Sequence, residues 1–297
     1  MIFYLSGSLK HFKLFDRNLL IFWCILTALI VLFNRNLENA FLQVILHIVL
    51  IGILLVFIPW LDRRTENYWV FIRNWYLILA LPLLYYDVGS FLHLVTPNEF
   101  DPILIAVEKH FFGIIPNLWI QALVNPYLTE FMQISYSIYW ITIPLGAAVF
   151  YYYKRLDLFE YLLYYVTIAF FLSYLIFIFF PVAGPRFFLA DQLTVKYEGL
   201  FIADYLRDFM KQSGYRGGAF PSSHVGVAVT ILTFLWHFQS RVAKKMFLPL
   251  VIALSLATVY GQYHYVVDVI AGLTMGLCIG FWGARKTRAK LSPALLH

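Results

Sequence analysis

Three short stretches carry most of the polar chemistry of an otherwise apolar chain. They are Phe180-Pro181-Val182-Ala183-Gly184-Pro185-Arg186, Arg216-Gly217-Gly218-Ala219-Phe220-Pro221-Ser222-Ser223-His224 and Tyr260-Gly261-Gln262-Tyr263-His264-Tyr265-Val266-Val267-Asp268. His264 and Asp268 are four apart, so on a helix they share one face. A carboxylate there accepts the proton of one imidazole nitrogen and leaves the other as a lone pair, an oriented nucleophile. Pro221-Ser222-Ser223 reads as the opening of a helix just before His224. The free N–H groups and hydroxyls of such an opening suit an anion such as phosphate. Gly217 and Gly218 let backbone approach a ligand closely. Arg186 and Arg216 are the cations at hand to clamp phosphate oxygens. A histidine nucleophile, an anion cradle and two cations imply phosphoryl transfer. Arginine and helix N–H groups can stabilise its transition-state charge, so no metal or other cofactor is expected.

The elements that hold these stretches follow from composition. Of 297 residues, 62% are apolar, 20% aromatic and 13% charged, against roughly 45–50% apolar and about 25% charged in soluble domains. The apolar residues fall in long continuous runs, which is the form a bilayer demands. A polytopic, all-α membrane bundle is therefore expected, helical because the runs do not alternate as barrel strands do. Eight segments read as spans: about 18–33, 41–60, 75–95, 129–151, 158–180, 222–238, 246–262 and 265–284. The net charge of +6 comes with no basic patch interleaved with exposed aromatics, so nucleic acid is not an expected partner. Cys24 and Cys278 lie in apolar runs outside any Cys/His cluster and read as packing residues. The tyrosine and tryptophan content reads as an interfacial aromatic belt.

Charge sets the orientation. With both termini cytoplasmic, 15 of the 22 basic residues fall inside, as the positive-inside rule requires. The same topology brings all three polar stretches to the outer ends of spans, and places the site on the outer face of a cell (inner) membrane. Two outer connections are long. Residues 96–128 contain four prolines around the apolar run 103–107, which suits re-entrant or surface-lying pieces. In 201–211, apolar Phe201, Ile202, Tyr205, Leu206, Phe209 and Met210 stand opposite Asp204, Arg207, Asp208 and Lys211. That helix lies either in the interface plane or on protein. His47, His93, His110 and His237 read as structural, and Asp87 as either a substrate or a structural contact.

Pro-Ser-Ser-His followed some forty residues later by His-x-x-x-Asp resembles the type 2 phosphatidic acid phosphatase superfamily. The stretch His264-Tyr265-x-x-Asp268-Val269 looks most like its lipid phosphotransferase branch, the inositol phosphorylceramide and sphingomyelin synthases. Asp101-Pro102, Phe112-Gly113 and Thr129-Glu130-Phe131 are similar to bacterial relatives of the first. The resemblance implies a six-helix core over 75–284, a two-span extension over 1–74 and a basic tail over 285–297. It implies that His264 attacks phosphorus, oriented by Asp268, and that His224 protonates the leaving alcohol. Ser222 and the backbone of Ser223 would hold phosphate oxygens, with Ser223 standing where the family often has glycine. The substrate would be a lipid phosphate or phospholipid, and the acceptor an alcohol or water. This chain departs from the phosphatase pattern at Phe179, where a lysine is usual, and at Arg186, which is followed by Phe187 rather than proline. Ala257 and Thr258 replace a Ser-Arg pair. Arg186 and Arg216 would then substitute for the missing cations. Hydrolysis alone is one alternative activity. A lipid transporter or scramblase is another, but its polar residues should line a path across the bilayer instead of clustering at one depth.

Overall fold

In hydrocarbon every backbone N–H and C=O has to be paired within its own segment, so continuous apolar runs fold as helices. The computed structural model describes residues 9–291, and among these every regular element is helical. The helices longer than two turns are α1 (Leu14–Leu32), α2 (Ala40–Asp62), α3 (Asn67–Gly89), α4 (Asp101–Phe112), α5 (Pro126–Ser137), α6 (Tyr139–Tyr152), α7 (Leu156–Phe179), α8 (Ala203–Ser213), α9 (Ser223–Phe238), α10 (Leu248–Tyr260) and α11 (Val266–Lys290). Residues 292–297 of the expected basic tail, and the side chains of Phe209, Met210 and Lys211, lie outside the described residues.

Among the described residues, five helices are long and apolar enough to cross a membrane: α1, α2, α7, α11 and the run Ser240–Tyr260 that ends in α10. The segment expected as one span over 129–151 is two helices, α5 and α6, bent by 46° at Ile138. α4 and the turns of Pro116–Leu123 form a second bent pair, at 75°, where Gly113 takes φ 70° and Pro116 starts the next turn. This is the segment expected to be re-entrant or surface-lying. α9 is apolar but has only 16 residues. α3 starts and stops earlier than its expected 75–95 and is less apolar, because it carries Arg73, Asn74 and Asp87.

Those polar residues are satisfied inside the protein. Arg73 Nη2 donates to Asp16 at 2.5 Å, and Glu160 accepts from the Leu14 N–H at 2.9 Å. This knot joins the starts of α1, α3 and α7 at one end of the bundle. Asp87 instead meets the buried His47 at 3.2 Å, a structural contact within the N-terminal helices. The apolar core is continuous from α1 and α2 to the helices that follow, with Phe22 stacked on Phe171 at 4.2 Å. On the outside, Phe41, Leu32, Val56 and Leu79 are 73–81% exposed, a surface that calls for lipid. Cys24 and Cys278, expected as packing residues, are free and exposed on that surface.

The closest helix pair is α9 against α11. Gly272, Gly276 and Gly280 recur every fourth residue along α11, so they line one stripe. A Cβ at Gly272 would come within 2.4 Å of the Ser222 carbonyl oxygen, and one at Gly276 within 2.4 Å of the Gly226 oxygen. Small residues on facing helices permit this approach of backbones. It brings the Ser222-Ser223-His224 opening of α9 beside the start of α11, where Asp268 stands.

Candidate functional site

The three polar stretches meet at the end of the bundle opposite the Arg73–Asp16 knot, and backbone bonds stitch them together. Val182 N–H donates to Gly217 O at 3.1 Å and Ala219 N–H to Val182 O at 2.9 Å, joining the first stretch to the second. Gly217 adopts φ 113° there, open in practice only to glycine. Arg186 N–H donates to Gln262 O at 3.0 Å, joining first to third, and Ser222 N–H to Asp268 O at 3.0 Å, joining second to third.

His264 sits in the turn between α10 and α11, where Thr258 O accepts from both the Tyr263 and His264 N–H groups. Its ring is almost wholly buried. Nδ1 donates to the Ala219 carbonyl at 2.8 Å, while Asp268 Oδ2 lies farther away at 3.5 Å. The partner expected of Asp268 is thus supplied by backbone. Asp268 Oδ2 accepts from the Tyr265 N–H at 2.8 Å and thereby caps α11. A carbonyl can only accept, so His264 carries hydrogen on Nδ1 and presents a lone pair at Nε2. Burial, with the Arg186 charge adding to it, pushes this imidazole down to about 4 against the pull of the Ala219 bond. The ring is therefore held toward its neutral form, the form in which Nε2 keeps its lone pair.

His264 Nε2 faces His224 Nδ1 at 3.4 Å. His224 is held between the rings of Tyr139 and Tyr136, 4.4 and 5.0 Å away between centroids, and its Nε2 meets Tyr136 Oη at 3.1 Å. Ser222 is fully buried and caps α9 by accepting from the Val225 N–H. The first N–H groups of α9, at Ser223 and His224, have no carbonyl one turn back to bind.

A cleft with about 850 Å³ of empty space opens in front of these groups. Ser223, His224, Arg186 and Tyr136 line its polar end, and Leu81, Ile143 and Phe170 belong to its apolar wall. His264 lies behind His224. The Arg186 guanidinium rests over the rings of Phe187 and Tyr263 at 4.6 and 5.3 Å, and no hydrogen bond or ion pair holds it among the described residues. It keeps its five donors for a ligand. Arg216 stands elsewhere. It is half exposed, does not line the cleft, and pairs through two hydrogen bonds of 2.5 and 2.8 Å with Glu99. Those bonds hold the Glu99 carboxyl below its usual range.

Several residues that brace the site escape a reading of the three stretches. Asp101, at the start of α4 and fully buried, accepts from the Ala183 and Gly184 N–H groups at 2.8 and 2.9 Å and from Tyr265 Oη at 2.9 Å. One carboxylate thus clamps the first stretch to the third. Glu108 caps α11 by accepting from the Val266 N–H at 2.6 Å, and Asn117 donates to His264 O at 3.1 Å. The advance signal for Asp101 was the resemblance of Asp101-Pro102 to bacterial relatives, which assigned it no role. Tyr136, Tyr139, Tyr174 and Tyr265 are buried, so the aromatic content serves the interior as well as any interfacial belt. Among the described residues no three His, Cys, Asp or Glu side chains converge to hold a metal ion.

Comparison with curated proteins and with solved structures returned no match. A family description does match: residues 103–282, well over half of the chain, fit the PAP2 superfamily. That stretch contains both histidines, Asp268, Arg186 and the bracing residues Glu108 and Asn117, and the chain belongs to the type 2 phosphatidic acid phosphatase superfamily.

Proposed function

We propose that the protein is a membrane-embedded lipid phosphotransferase or phosphatase working through a phosphohistidine on His264. The observation that carries this reading is the meeting of two imidazoles from distant stretches, 3.4 Å apart, beside an arginine that no side-chain hydrogen bond or ion pair holds among the described residues. In the first half-reaction His264 Nε2 attacks phosphorus, the bond from phosphorus to the lipid oxygen breaks, and His224 gives that oxygen a proton. In the second, an alcohol or water attacks phosphorus and His264 leaves. Arg186 and the α9 N–H groups neutralise the phosphate oxygens throughout. Ser222 fixes the helix opening that aims those groups. The apolar wall of the cleft receives the lipid body, which supports a lipid phosphate or phospholipid as donor.

Transfer to an alcohol, as in the branch of inositol phosphorylceramide and sphingomyelin synthases, is favoured by the departures at Phe179, Ala257 and Thr258. The groups suited to phosphate chemistry, His224, His264 and Arg186, gather at one end of the bundle, which favours an enzyme over a lipid pathway.

The test uses purified protein in detergent with ³²P-labelled lipid phosphates and head-group-labelled phospholipids. Wild type is expected to trap an acid-labile, base-stable phosphoenzyme, and His264→Ala to lose trapping and turnover together. A phosphoenzyme that survives in His264→Ala removes the nucleophile assignment. Wild type inert toward every donor hands the case to transport.

A further inference from the structure

His224 is proposed above as the acid, yet neither of its nitrogens touches a carboxylate among the described residues. Nδ1 faces His264 Nε2 at 3.4 Å and Nε2 faces Tyr136 Oη at 3.1 Å. Hydrogen placement on imidazoles is inferred from such networks, and here one end of the chain is pinned. The Ala219 carbonyl forces hydrogen onto His264 Nδ1, which makes His264 Nε2 an acceptor. His224 Nδ1 faces that acceptor and so carries hydrogen. Its Nε2 is then the lone pair, and the Tyr136 hydroxyl donates to it. The order is Tyr136 O–H, His224, His264, Ala219 carbonyl, each donating to the next.

A neutral imidazole in this tautomer cannot surrender its Nδ1 proton alone, since an imidazolate would remain. We propose that Tyr136 is the proton reservoir of His224, a positioning and relay residue that acts through the imidazole. Phosphate can come between the two histidines only when the rings part from their 3.4 Å contact; the leaving oxygen then takes the Nδ1 proton, while Nε2 takes the Tyr136 proton. A phenolate is left at Tyr136. Arg186 and Tyr136 line the same cleft, so the positive charge nearest to hand for that phenolate is the Arg186 guanidinium, which rests over the Tyr263 ring on which Tyr136 stacks. In the second half-reaction the incoming alcohol or water gives its proton to Nδ1, and the Nε2 proton returns to Tyr136. No proton is gained or lost over the cycle.

The inference rests on the acid role of His224, and the experiment separates the two. Tyr136→Phe, His224→Ala and a variant with 3,5-difluorotyrosine at 136 are compared on a lipid phosphate, whose alkoxide needs a proton, and on an aryl phosphate, whose phenolate does not. Tyr136→Phe keeps the stack on Tyr263. It is expected to lower single-turnover cleavage of the lipid phosphate by about 10²-fold, within the range of general acid catalysis, with little change on the aryl phosphate. The difluorinated variant keeps shape and hydroxyl, and its more acidic phenol is expected to speed the lipid phosphate alone. Equal changes on both substrates, or none, in either variant overturn the relay. If His224→Ala itself shows no dependence on the leaving group, the acid assignment falls and the relay with it. If His224→Ala shows the dependence and both Tyr136 variants do not, the relay alone falls.

Discussion

The Asp268 carboxylate is fully buried, and only one of its oxygens is satisfied among the described residues: Oδ2 accepts from the Tyr265 N–H, and Oδ1 has no partner. In a triad where the carboxylate alone fixes the imidazole tautomer, replacing it with an amide lowers turnover about 10⁴-fold. Here the Ala219 carbonyl fixes the tautomer and Asp268 stands at 3.5 Å. Asp268→Asn replaces a nearby carboxyl group by an amide and leaves the proton on Nδ1. Even a full hydrogen bond to a charged group is typically worth only about 1.5–3 kcal/mol, or roughly 10–10²-fold in rate. Turnover of Asp268→Asn on a lipid phosphate is expected in that range. A loss approaching 10⁴-fold would show that Asp268, and not the carbonyl, holds the imidazole once substrate is bound. The HisxxxAsp spacing was visible in the sequence; the competing carbonyl was not, because Ala219 is 45 residues away and any residue type supplies such an oxygen.

At the scale of elements, the site depends on how closely α11 lies against α9. Gly272 touches the Ser222 carbonyl, at the opening of α9, while Gly280 meets Thr233 farther down. The two glycines are eight residues apart, roughly 12 Å along the helix. Forcing a methyl into either contact costs about 1–3 kcal/mol of packing, so Gly272→Ala and Gly280→Ala are expected to lower the thermal midpoint in detergent by similar amounts. Their effects on turnover should differ. A shift at Gly272 moves Ser222, Ser223 and His224 relative to Asp268, whereas one at Gly280 is relieved at the other end. Loss of turnover well beyond loss of stability is expected for Gly272→Ala only. Equal loss in both variants would mean that the helix pair moves as one rigid body. The spacing of these glycines is plain in the sequence, but which helix they face is a property of the packing.

For the whole molecule, the polar knot of Asp16, Arg73 and Glu160 marks one end, and the three polar stretches mark the other. We propose that the knot end is cytoplasmic and the site end external, since 15 of the 22 basic residues then lie inside. Replacing the exposed Cys24 and Cys278 by serine gives a background for mapping. Single cysteines beside Lys196 are expected to react with an impermeant maleimide on intact cells. Those beside Lys244 should react only after the membrane is opened. The reverse pattern would place the site in the cytoplasm and change which pool of substrate can reach it.

Helical class, the apolar spans and the residues of the three polar stretches were all legible in the chain itself. Each is local: apolar run length decides the first two, and side-chain type at short spacing decides the third. Even the gathering of the stretches at one end follows from counting spans between them. Other features required the folded chain. Arg186 and Arg216 look equivalent in sequence, and only the Glu99 carboxylate, 117 residues from Arg216, ties one down while the other faces the cleft. Asp101 reaches Gly184 and Tyr265 across 83 and 164 residues. Tyr136 lies in an apolar stretch with nothing to mark it until His224 arrives from 88 residues away. A hydrogen bond is decided by distance and direction between two groups. Sequence records the groups, and only the packing of α4, α5, α9 and α11 brings them within reach.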